Sequence, residues 1–267
     1  MKTWHEFMKN RIEGGEKNIP WFLLDKIKLN DFAIKNNISV PKIYNLFNNP
    51  DEITLSHIDI GSDVVLKPTK ESSTRGVMVL HKKSDGFYDS LSRKLYSLEE
   101  IIQYQKNYFD KNMSKENKII LEEKVYDIEE EYIIPRDFKF YMFDGEIALI
   151  LVIDRNRKPG ISLWYDSKFN PITDDRVKCN APFSRTLSYY TKPLNSEKMI
   201  EFATNISKLI KTPFASIDIY NSSRGPLLGE VTLTPGGIYH GKHYTLSDAQ
   251  ERLMGYMWFH AELRNKL

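Results

Sequence analysis

A lysine beside a hydroxyl-rich loop is the first feature of the sequence that can bind phosphate. Lys67 closes an apolar run, and the polar segment 69–76 follows it. A lysine fixed at a strand end can place its ammonium against a polyphosphate, while hydroxyl and backbone N–H groups of a loop bind the other oxygens. A single lysine in this position is usually only solvated, so the adjoining loop is what favours a phosphate site.

A pair of acidic residues on a predicted hairpin is the second such feature. Asp218 alternates with the apolar residues Ile217 and Ile219, and Glu230 lies twelve residues after it, beyond a turn predicted at 221–226. The two carboxylates can therefore face each other across the hairpin. Mg²⁺ binds one or two carboxylates and completes its shell with phosphate oxygens and water. The hairpin predicts a magnesium site, with a solvated surface pair as the alternative.

The elements that must position these side chains form a series of helices and paired strands. Helices are predicted at 3–13, 25–35, from 97, 196–211 and from 247, and strands at 63–67, 77–80, 119–124, 137–143, 146–153, 215–220 and 227–232. Adjacent strand pairs predict an α+β fold built mostly from antiparallel hairpins. Residues 155–195 give no clear pattern.

Two of these elements carry a clear division into faces. In the strand 137–143, one side is expected to hold Phe138, Phe140 and Met142, and the other Asp137, Lys139 and Tyr141. In the helix 196–211, the predicted inward residues are Phe202, Ala203, Ile206, Leu209 and Ile210.

The composition excludes several classes of function. Lys and Arg number 38 and Asp and Glu 36 in 267 residues, a balance that gives no electrostatic argument for a nucleic-acid partner. The single cysteine, Cys179, excludes an internal disulfide and a cysteine-based zinc site, and it favours a reduced, cytoplasmic compartment. The longest apolar run, 147–153, is too short for a transmembrane helix, which needs about 20 residues.

Several common nucleotide-binding and catalytic motifs are absent from the sequence. These are the P-loop and the G-x-G-x-x-G, G-x-S-x-G and H-E-x-x-H motifs.

Several segments together resemble a known family. Residues 66–77, LKPTKESSTRGV, resemble the "VKP…SS.G" signature of the ATP-grasp ligases, which include D-alanine–D-alanine ligase. Segments 25–41, 121–125 and 217–237 are similar to that family's "DK…GIPVP" segment, adenine hinge strand and "D…EvNp.pG" metal hairpin. Residues 137–145 and 229–237 resemble the "DyKfy.f.G" and "GElT..P.gG" motifs of the TupA-like branch, which is associated with teichuronopeptide and other bacterial surface polysaccharides.

The resemblance implies a role for individual residues of this chain. The implied phosphate ligands are Lys26 and Lys67, with Ser72, Ser73 and Gly76 in a mobile loop over the phosphates. The implied adenine contacts are Glu123, Lys124, Val125 and Tyr126, and Glu130 or its neighbours Glu129 and Glu131 would bind the ribose. The implied metal ligands are Asp218, Glu230 and Thr232, although most ATP-grasp enzymes have asparagine where this chain has Thr232.

One departure from the family pattern concerns catalysis. Ser216 stands two residues before the metal aspartate, where the family has an arginine expected to stabilise the tetrahedral intermediate. If the chain is a ligase, another cation must replace that arginine. The candidates are Arg136, Arg155, Arg157 and Arg185, of which Arg155 and Arg185 are preferred, and Lys139 is the third predicted catalytic side chain unless it only belongs to the polar face of its strand.

The resemblance also implies a fold and a division of the chain. The expected fold is α+β, an ATP-grasp fold with two lobes closing on ATP and a reduced N-terminal domain, because only 25 residues precede Lys26. The expected division is a short helical segment at 1–60, a small lobe at 61–125 and a large lobe with the metal hairpin at 126–267. Substrate binding would then come from residues 130–195 or from a partner.

The implied function is that of an ATP-dependent carboxylate–amine ligase using ATP and Mg²⁺. It would form an amide through an acyl phosphate, attaching an amino acid to a bacterial surface polysaccharide or its precursor, so its substrates would be a small-molecule or glycan carboxylate and an amine. A homodimer is a further expectation. The alternatives are an ATP-grasp kinase that phosphorylates a sugar or alcohol, which Ser216 slightly favours, and a non-catalytic nucleotide-binding scaffold, against which the retained Lys26, Lys67, Asp218 and Glu230 argue.

Overall fold

The structure is a computed structural model that describes residues 1–71, 74–109, 116–158, 160–180 and 192–264. Its α-helices are α1 (Trp4–Ile12), α2 (Lys26–Lys35), α3 (Leu55–Ile58), α4 (Leu98–Phe109), α5 (Ser196–Ile210), α6 (Gly236–Tyr239) and α7 (Asp248–Arg264). Short 3₁₀ helices lie at Trp21–Leu24 and Pro50–Glu52. No helix in these described ranges has the length and apolar character needed to cross a membrane.

The strands form two main antiparallel sheets. They are β1 (Ile43–Phe47), β2 (Val64–Pro68), β3 (Met78–Lys83), β4 (Gly86–Asp89), β5 (Lys94–Tyr96), β6 (Ile119–Glu123), β7 (Asp137–Phe143), β8 (Glu146–Asp154), β9 (Ile161–Tyr165), β10 (Val177–Cys179), β11 (Ala215–Ser222), β12 (Gly225–Thr232) and β13 (Tyr244–Leu246). The six-stranded sheet has the order β1-β6-β2-β3-β4-β5, and the five-stranded sheet has the order β12-β11-β7-β8-β9. A two-stranded ladder pairs β10 with β13.

Each main sheet buries an apolar face against helices. In the six-stranded sheet, Leu66, Leu80 and Leu121 pack with Ile101 of α4 in one core cluster. The five-stranded sheet has two cores, because its alternating strands bury side chains on both faces. One face packs on α2 and α5, and the other on α1 and α7.

The pattern of β7 confirms the predicted division into faces. Phe138, Phe140 and Met142 lie in the core beneath α5, whereas Tyr141 belongs to the core beneath α1 and α7. Asp137 and Lys139 lie on the same side as Tyr141, because successive side chains of a strand alternate. The two charged residues thus lie at one end of a face whose remainder is covered by helices.

The helix predicted at 196–211 has a slightly different inward face. Leu209 is 42% exposed, so its predicted burial is wrong, and Met199 is fully buried instead. A helix that packs on a sheet buries a narrow stripe at a spacing of three to four residues, and Met199, Ala203, Ile206 and Ile210 follow that spacing.

Several strands have no counterpart in the predictions. β1 pairs with β6 and β13 with β10, so their partners are distant in the sequence. The segment without a clear pattern contains β9 and β10. The turn between β11 and β12 is also shorter than predicted, because β11 continues to Ser222 and β12 begins at Gly225.

Candidate active site

A cleft between the two main sheets brings together most of the predicted site residues. One wall comes from β2, β3 and β6 and the other from β7, β11 and β12. The predicted residues that line it are Lys26, Lys67, Glu123, Lys124, Val125, Lys139, Arg155, Asp218 and Glu230. Ser72, Ser73 and Arg185 lie outside the described residues.

Lys26 enters the cleft from the first turn of α2. Asp25 caps this helix, since its Oδ1 accepts hydrogen bonds from the backbone N–H groups of Ile27 at 3.0 Å and Lys28 at 3.1 Å. The Lys26 ammonium donates to the carbonyl oxygen of Glu71 at 2.6 Å. Burial lowers the pKa of Lys26, while the charge of Glu230 acts in the opposite direction. A partly buried ammonium held by a neutral carbonyl oxygen is well suited to bind an anion.

Lys67 points into the same cleft from β2. Its ammonium lies 2.5 Å from Oε1 of Glu122, a buried residue of the neighbouring strand β6. Lys67 and Glu122 line the cleft together with Lys26 and Glu230. Two ammonium groups from different elements therefore converge where a polyphosphate would need them.

The predicted hinge residues follow β6. Val125 lines the cleft with Val65, Val79 and Ile134, so this part of the cleft is apolar. An apolar wall of this kind suits a heteroaromatic base.

The side chains of Lys124 and Tyr126 are held together beside this apolar wall. Lys124 lies 3.3 Å from Oδ2 of Asp63, and the Tyr126 hydroxyl donates to the same oxygen at 2.8 Å. Burial lowers the pKa of Lys124, against the opposing effect of Asp63. Burial, reinforced by Asp63, raises the pKa of Tyr126 to about 12. Tyr126 is 55% exposed and does not line the cleft, so its predicted adenine contact stays a prediction.

Glu123 has a structural connection in addition to its place in the cleft. Its Oε1 accepts from the backbone N–H of Lys42 at 2.9 Å and from the Arg224 guanidinium at 2.6 Å. Arg224 lies between β11 and β12, so Glu123 ties the end of β6 to the hairpin that carries the acidic pair. The side chain is thereby held at the rim of the cleft.

The acidic pair lies as the hairpin pattern predicted. Asp218 on β11 is the register partner of Glu230 on β12 and, on its other side, of Lys139 on β7. Lys139 forms an ion pair with Asp218, and its ammonium lies 3.0 Å from Oδ2 of Asp137. Arg155 lies 3.3 Å from the same oxygen of Asp137. Three carboxylates and two cations thus meet on β12, β11 and β7 and at the end of the neighbouring β8.

The pKa values in this cluster shift in directions that its charges explain. Burial, together with the charges of Asp137 and Glu230, raises the pKa of Asp218 to about 7 although Lys139 opposes the shift. Burial acts in the same direction on Asp137, but Lys139 and Arg155 outweigh it and lower the pKa of that carboxyl. Burial alone would lower the pKa of Lys139. The negative charges of Asp137 and Asp218 outweigh that effect and raise the pKa of Lys139. The site therefore holds an excess of negative charge around Asp218.

This donor set fits a Mg²⁺ ion that also binds phosphate. Asp218 and Glu230 are adjacent carboxylates, and a divalent cation between them would relieve the repulsion that raises the pKa of Asp218. No group of three or more His, Cys, Asp or Glu side chains in the described ranges forms a metal site by itself. A site with two carboxylates is sufficient for Mg²⁺ only when phosphate oxygens and water supply the remaining ligands.

The third predicted metal ligand, Thr232, lies two residues beyond Glu230 on β12 and is the register partner of Ser216. Thr232 does not line the cleft, but it lines an adjoining groove that Lys26 and Glu230 share. Ser216 is 2% exposed, and its hydroxyl lies 3.5 Å from Oδ1 of Asp218. The role of Thr232 as a ligand stays a prediction.

The candidates for the replacement cation differ in how they are held. Arg136 is buried, donates twice to Asp127 and once to Glu129 at 2.5 Å, and lies over the Tyr132 ring. Its donors are bound within the protein, and it does not line the cleft. Arg155 and Lys139 do line the cleft, so of the predicted catalytic cations in the described ranges these two can reach a reacting group there.

Two further predicted residues have positions away from the cleft. Glu130 is exposed, and neither it nor Glu129 or Glu131 lines the cleft. Gly76 also lies outside the lining, but its φ of +71° and the 2.6 Å that a Cβ would leave to Pro68 explain why glycine occupies it. The carbonyl oxygen of Gly76 accepts from Gln105 at 2.9 Å, which fixes the base of the loop.

The predictions missed Glu122 and Tyr220, both of which line the cleft. Glu122 is the ion-pair partner of Lys67, and its only sequence signal is its place directly after the apolar run 119–121. Tyr220 follows Asp218 by two residues, so it lies on the same strand face. Alternation along β11 predicts that orientation, but Tyr220 has no motif of its own.

Comparison with known proteins agrees with this geometry. The family model described as TupA-like ATPgrasp matches residues 6–256. The comparison with curated protein sequences gave no match.

Similar solved structures are ATP-grasp proteins with low sequence identity. D-alanine–D-alanine ligase from Bacillus anthracis complexed with ATP is 15% identical over 92% of this chain and 68% of its own length, with a TM-score of 0.52. D-alanine–D-alanine ligase from Helicobacter pylori is 13% identical over 89% of this chain and 60% of its own, with a TM-score of 0.53. A RimK-domain ATP-grasp protein from Sphaerobacter thermophilus is 14% identical over 89% of this chain and 67% of its own length, with a TM-score of 0.51.

These structural similarities show the fold. They confirm the predicted α+β ATP-grasp architecture, and the extent of the family match makes the assignment independent of any single motif. The chain belongs to the TupA-like ATP-grasp family.

Proposed function

We propose that the chain is an ADP-forming carboxylate–amine ligase that uses ATP and Mg²⁺. One observation carries this proposal: the register pair Asp218–Glu230 lies in the same cleft as the ammonium groups of Lys26 and Lys67. A carboxylate pair facing two lysines is the arrangement needed to hold a metal-bound polyphosphate.

The chemistry of the walls supports one orientation of the nucleotide. The base would lie against the apolar wall of Val65, Val79 and Val125. The phosphates would then extend toward Lys26 and Lys67. Mg²⁺ held by Asp218 and Glu230 would neutralise the phosphate charge that develops as the γ-phosphoryl group leaves.

The reaction follows from this placement in two steps. A carboxylate oxygen of the acid substrate attacks the γ-phosphorus, the bond to the β-phosphate oxygen breaks, and ADP leaves. The nitrogen of an amine then attacks the carbonyl carbon of the acyl phosphate, inorganic phosphate leaves with the C–O bond electrons, and the nitrogen loses a proton. Lys26 and Lys67 stabilise the transferred phosphoryl group by position and charge.

The second step needs a cation near the carbonyl oxygen, and Lys139 is the best placed. Its side chain lies on the same strand face as Asp218, next to the position that a metal ion would occupy. The Lys139 ammonium, held in place by Asp137, would donate to the tetrahedral oxyanion. Arg155 holds Asp137 and thereby positions Lys139 from the other side.

We propose that the acid and amine belong to bacterial surface-polysaccharide assembly, with an amino acid as the amine. The support is the family assignment, because residue chemistry alone does not select a glycan. We propose a cytoplasmic location because ATP is available there, and a homodimer stays a prediction. The boundaries at 60 and 125 also stay predictions.

Measurement of both products tests the proposal against the kinase alternative. A ligase releases ADP and inorganic phosphate in equal amounts when acid and amine are both present, whereas a kinase releases ADP with no free phosphate. We expect equal release. ADP formation accompanied by a stable phosphorylated alcohol would overturn the ligase assignment in favour of the kinase.

A further inference from the structure

A second groove opens at the phosphate end of the nucleotide cleft. The two share Lys26 and Glu230, whereas Val65, Val79 and Val125, the wall proposed for the base, do not line the groove. A molecule in the groove would therefore meet the nucleotide at its phosphates. We call it the aromatic groove, and its other main lining residues are Trp21, Phe22, Leu24, Lys28, Thr232 and Thr234.

One wall of the aromatic groove is apolar and exposed to solvent. Trp21, Phe22 and Leu24 are 45%, 46% and 42% exposed. The Phe22 ring packs edge-on against Phe32, but the Trp21 ring has no ring partner among the described residues. Single exposed apolar side chains are ordinary, whereas a cluster of them that lines a groove beside a reaction site marks a binding surface.

The turn that carries this wall is anchored, so the wall is in place before a ligand binds. Leu23, within the same 3₁₀ helix, is 1% exposed and belongs to the core cluster that α2 and α5 cover. Its backbone N–H donates to the carbonyl oxygen of Pro20 at 3.0 Å, and the N–H of Asp25 donates to that of Phe22 at 3.1 Å. A wall fixed in this way loses little conformational entropy on binding.

A lysine of the groove is available to bind a carboxylate. Of the three lysines that line the groove, Lys70 pairs with Asp25 at 2.7 Å, and Lys26 donates to the carbonyl oxygen of Glu71 at 2.6 Å. Lys28 is exposed and forms no ion pair with a carboxylate of the described ranges. An ammonium group beside an apolar wall matches the carboxylate and the side chain of an α-amino acid.

We propose that the aromatic groove is the amine site and that it selects an α-amino acid with a large apolar side chain. The side chain packs on the wall formed by Trp21, Phe22 and Leu24. The carboxylate binds Lys28, and the amino group lies at the end that the groove shares with the cleft. This proposal rests on the ligase function proposed above, because the amino nitrogen must reach the acyl phosphate formed in the cleft.

The acid substrate has its own place in this arrangement. Lys139, the cation proposed for the tetrahedral oxyanion, lines the cleft but not the aromatic groove, and the same holds for Arg155. The acyl carbonyl group must lie beside Lys139, so the acid belongs in the cleft. The groove is left for the amine.

Titration of amino acids into the nucleotide-loaded protein tests the proposal. The protein is saturated with Mg²⁺ and a non-hydrolysable ATP analogue, and both enantiomers of phenylalanine, leucine, alanine and glutamate are titrated in a calorimeter. We expect phenylalanine and leucine, in at least one configuration, to bind about tenfold or more tightly than alanine and glutamate. The reason is that only a large apolar side chain removes the wall from water.

A double variant locates the binding at the wall. Trp21→Ala/Phe22→Ala should lower the affinity for phenylalanine about tenfold or more, because the ring then loses its apolar contacts. The control Leu253→Ala/Tyr256→Ala removes two large side chains of similar exposure from α7 and should bind phenylalanine as the wild type does. Affinity for the ATP analogue, titrated alone, should stay within about twofold in both variants.

A probe without a carboxylate tests the role of Lys28. Phenylalaninamide keeps the ring and the amino group, so the wild type should bind it about tenfold less tightly than phenylalanine. In Lys28→Ala the two probes should bind with equal affinity. In the control Lys35→Ala, which removes an exposed lysine at the other end of α2, the difference should remain.

Several results would overturn the groove assignment and leave the ligase proposal standing. They are no preference for phenylalanine and leucine in wild-type protein that binds the nucleotide, unchanged phenylalanine affinity in Trp21→Ala/Phe22→Ala, and a difference between the two probes that persists in Lys28→Ala. An equal loss of nucleotide affinity in Trp21→Ala/Phe22→Ala would also overturn it, because the groove would then bind ATP. Wild-type protein that binds no Mg-nucleotide would contradict the proposed function itself.

Discussion

Asp218 and Glu230 are register partners on adjacent antiparallel strands, and this relationship organises the site. Their pairing places two carboxylates side by side at the edge of the five-stranded sheet, because β12 is its terminal strand. Because of that position, the two carboxylates line the same cleft as Lys26 and Lys67. A single hairpin thus provides the two proposed metal ligands and directs them toward the two lysines proposed to bind the phosphates.

Substitution of Glu230 tests the metal site. Glu230→Gln keeps the size of the side chain but removes the ligand charge needed during phosphoryl transfer, so we expect kcat to fall at least about a hundredfold. Steady-state ATP consumption measures the effect, with the exposed Glu201→Gln as the matched control. Near-wild-type turnover by a folded Glu230→Gln variant would remove Glu230 from the site.

Substitution of Lys67 tests the phosphate site. Lys67→Ala should weaken Mg-ATP binding by about 1.5–3 kcal/mol, the magnitude of a charge-assisted hydrogen bond. The variant also leaves Glu122 buried without its partner. The double variant Lys67→Ala/Glu122→Gln removes that unpaired charge, and we expect its affinity in calorimetry to stay low. Recovery of wild-type affinity would show that Lys67 serves only to neutralise Glu122.

Substitution of Lys139 tests the replacement for the missing arginine. Lys139→Met should lower kcat about 10²–10³-fold, the usual effect of losing one oxyanion donor, with a smaller effect on the KM for ATP. Lys139→Arg keeps the charge and should recover part of the rate. If Lys139 only pairs with Asp218, Lys139→Met would raise the KM for ATP and leave kcat close to that of the wild type.

The raised pKa of Asp218 predicts a pH dependence of stability. Its pKa of about 7 in the folded protein lies above the 3.8 that is ordinary for an aspartate. Its contribution to stability is therefore full below the lower value and is lost as the pH rises through about 7. Metal-free protein should therefore lose stability between pH 5.5 and 8 more steeply than Asp218→Asn does. Urea unfolding of both proteins at the two pH values measures the difference, and parallel profiles would contradict the assigned shift.

A buried arginine outside the cleft should control the stability of the fold. Arg11 of α1 binds the Glu16 carboxylate at 2.7 Å and the carbonyl oxygens of Phe214 and Leu233, each at 2.9 Å. Arg11→Met leaves these acceptors unpaired and should cost about 3–5 kcal/mol in the free energy of unfolding. The exposed Lys9→Ala on the same helix should cost less than about 0.5 kcal/mol. A small effect of Arg11→Met in urea unfolding would show that the network adds little.

The sequence predicts those parts of the site that depend on local pattern. Alternation along β11 and the short turn after it place Asp218 opposite Glu230, and the apolar run before Lys67 places that lysine at the end of β2. The faces of β7 follow from the same period of two. Each of these inferences needs only residues within one hairpin or one strand.

The parts that the sequence does not predict depend on distant pairings. Glu122 meets Lys67 only because β6 lies beside β2, and Lys139 meets Asp218 only because β7 lies beside β11. Arg136 resembles a free cation in the sequence, yet Asp127 binds it across a buried bend. Strands β1 and β13 were missed because their partners are far along the chain.

Trapping of the activated acid tests the central claim most directly. The protein is incubated with Mg-ATP, hydroxylamine and a panel of acids containing galacturonate, glucuronate, L-glutamate and their short oligomers. We predict that ADP formation with the correct acid is accompanied by an equal amount of hydroxamate, because hydroxylamine captures the acyl phosphate. Hydroxamate should be absent with Glu230→Gln. Acid-dependent ADP formation by the wild-type enzyme without any hydroxamate, and with a stable phosphorylated product instead, would contradict the account.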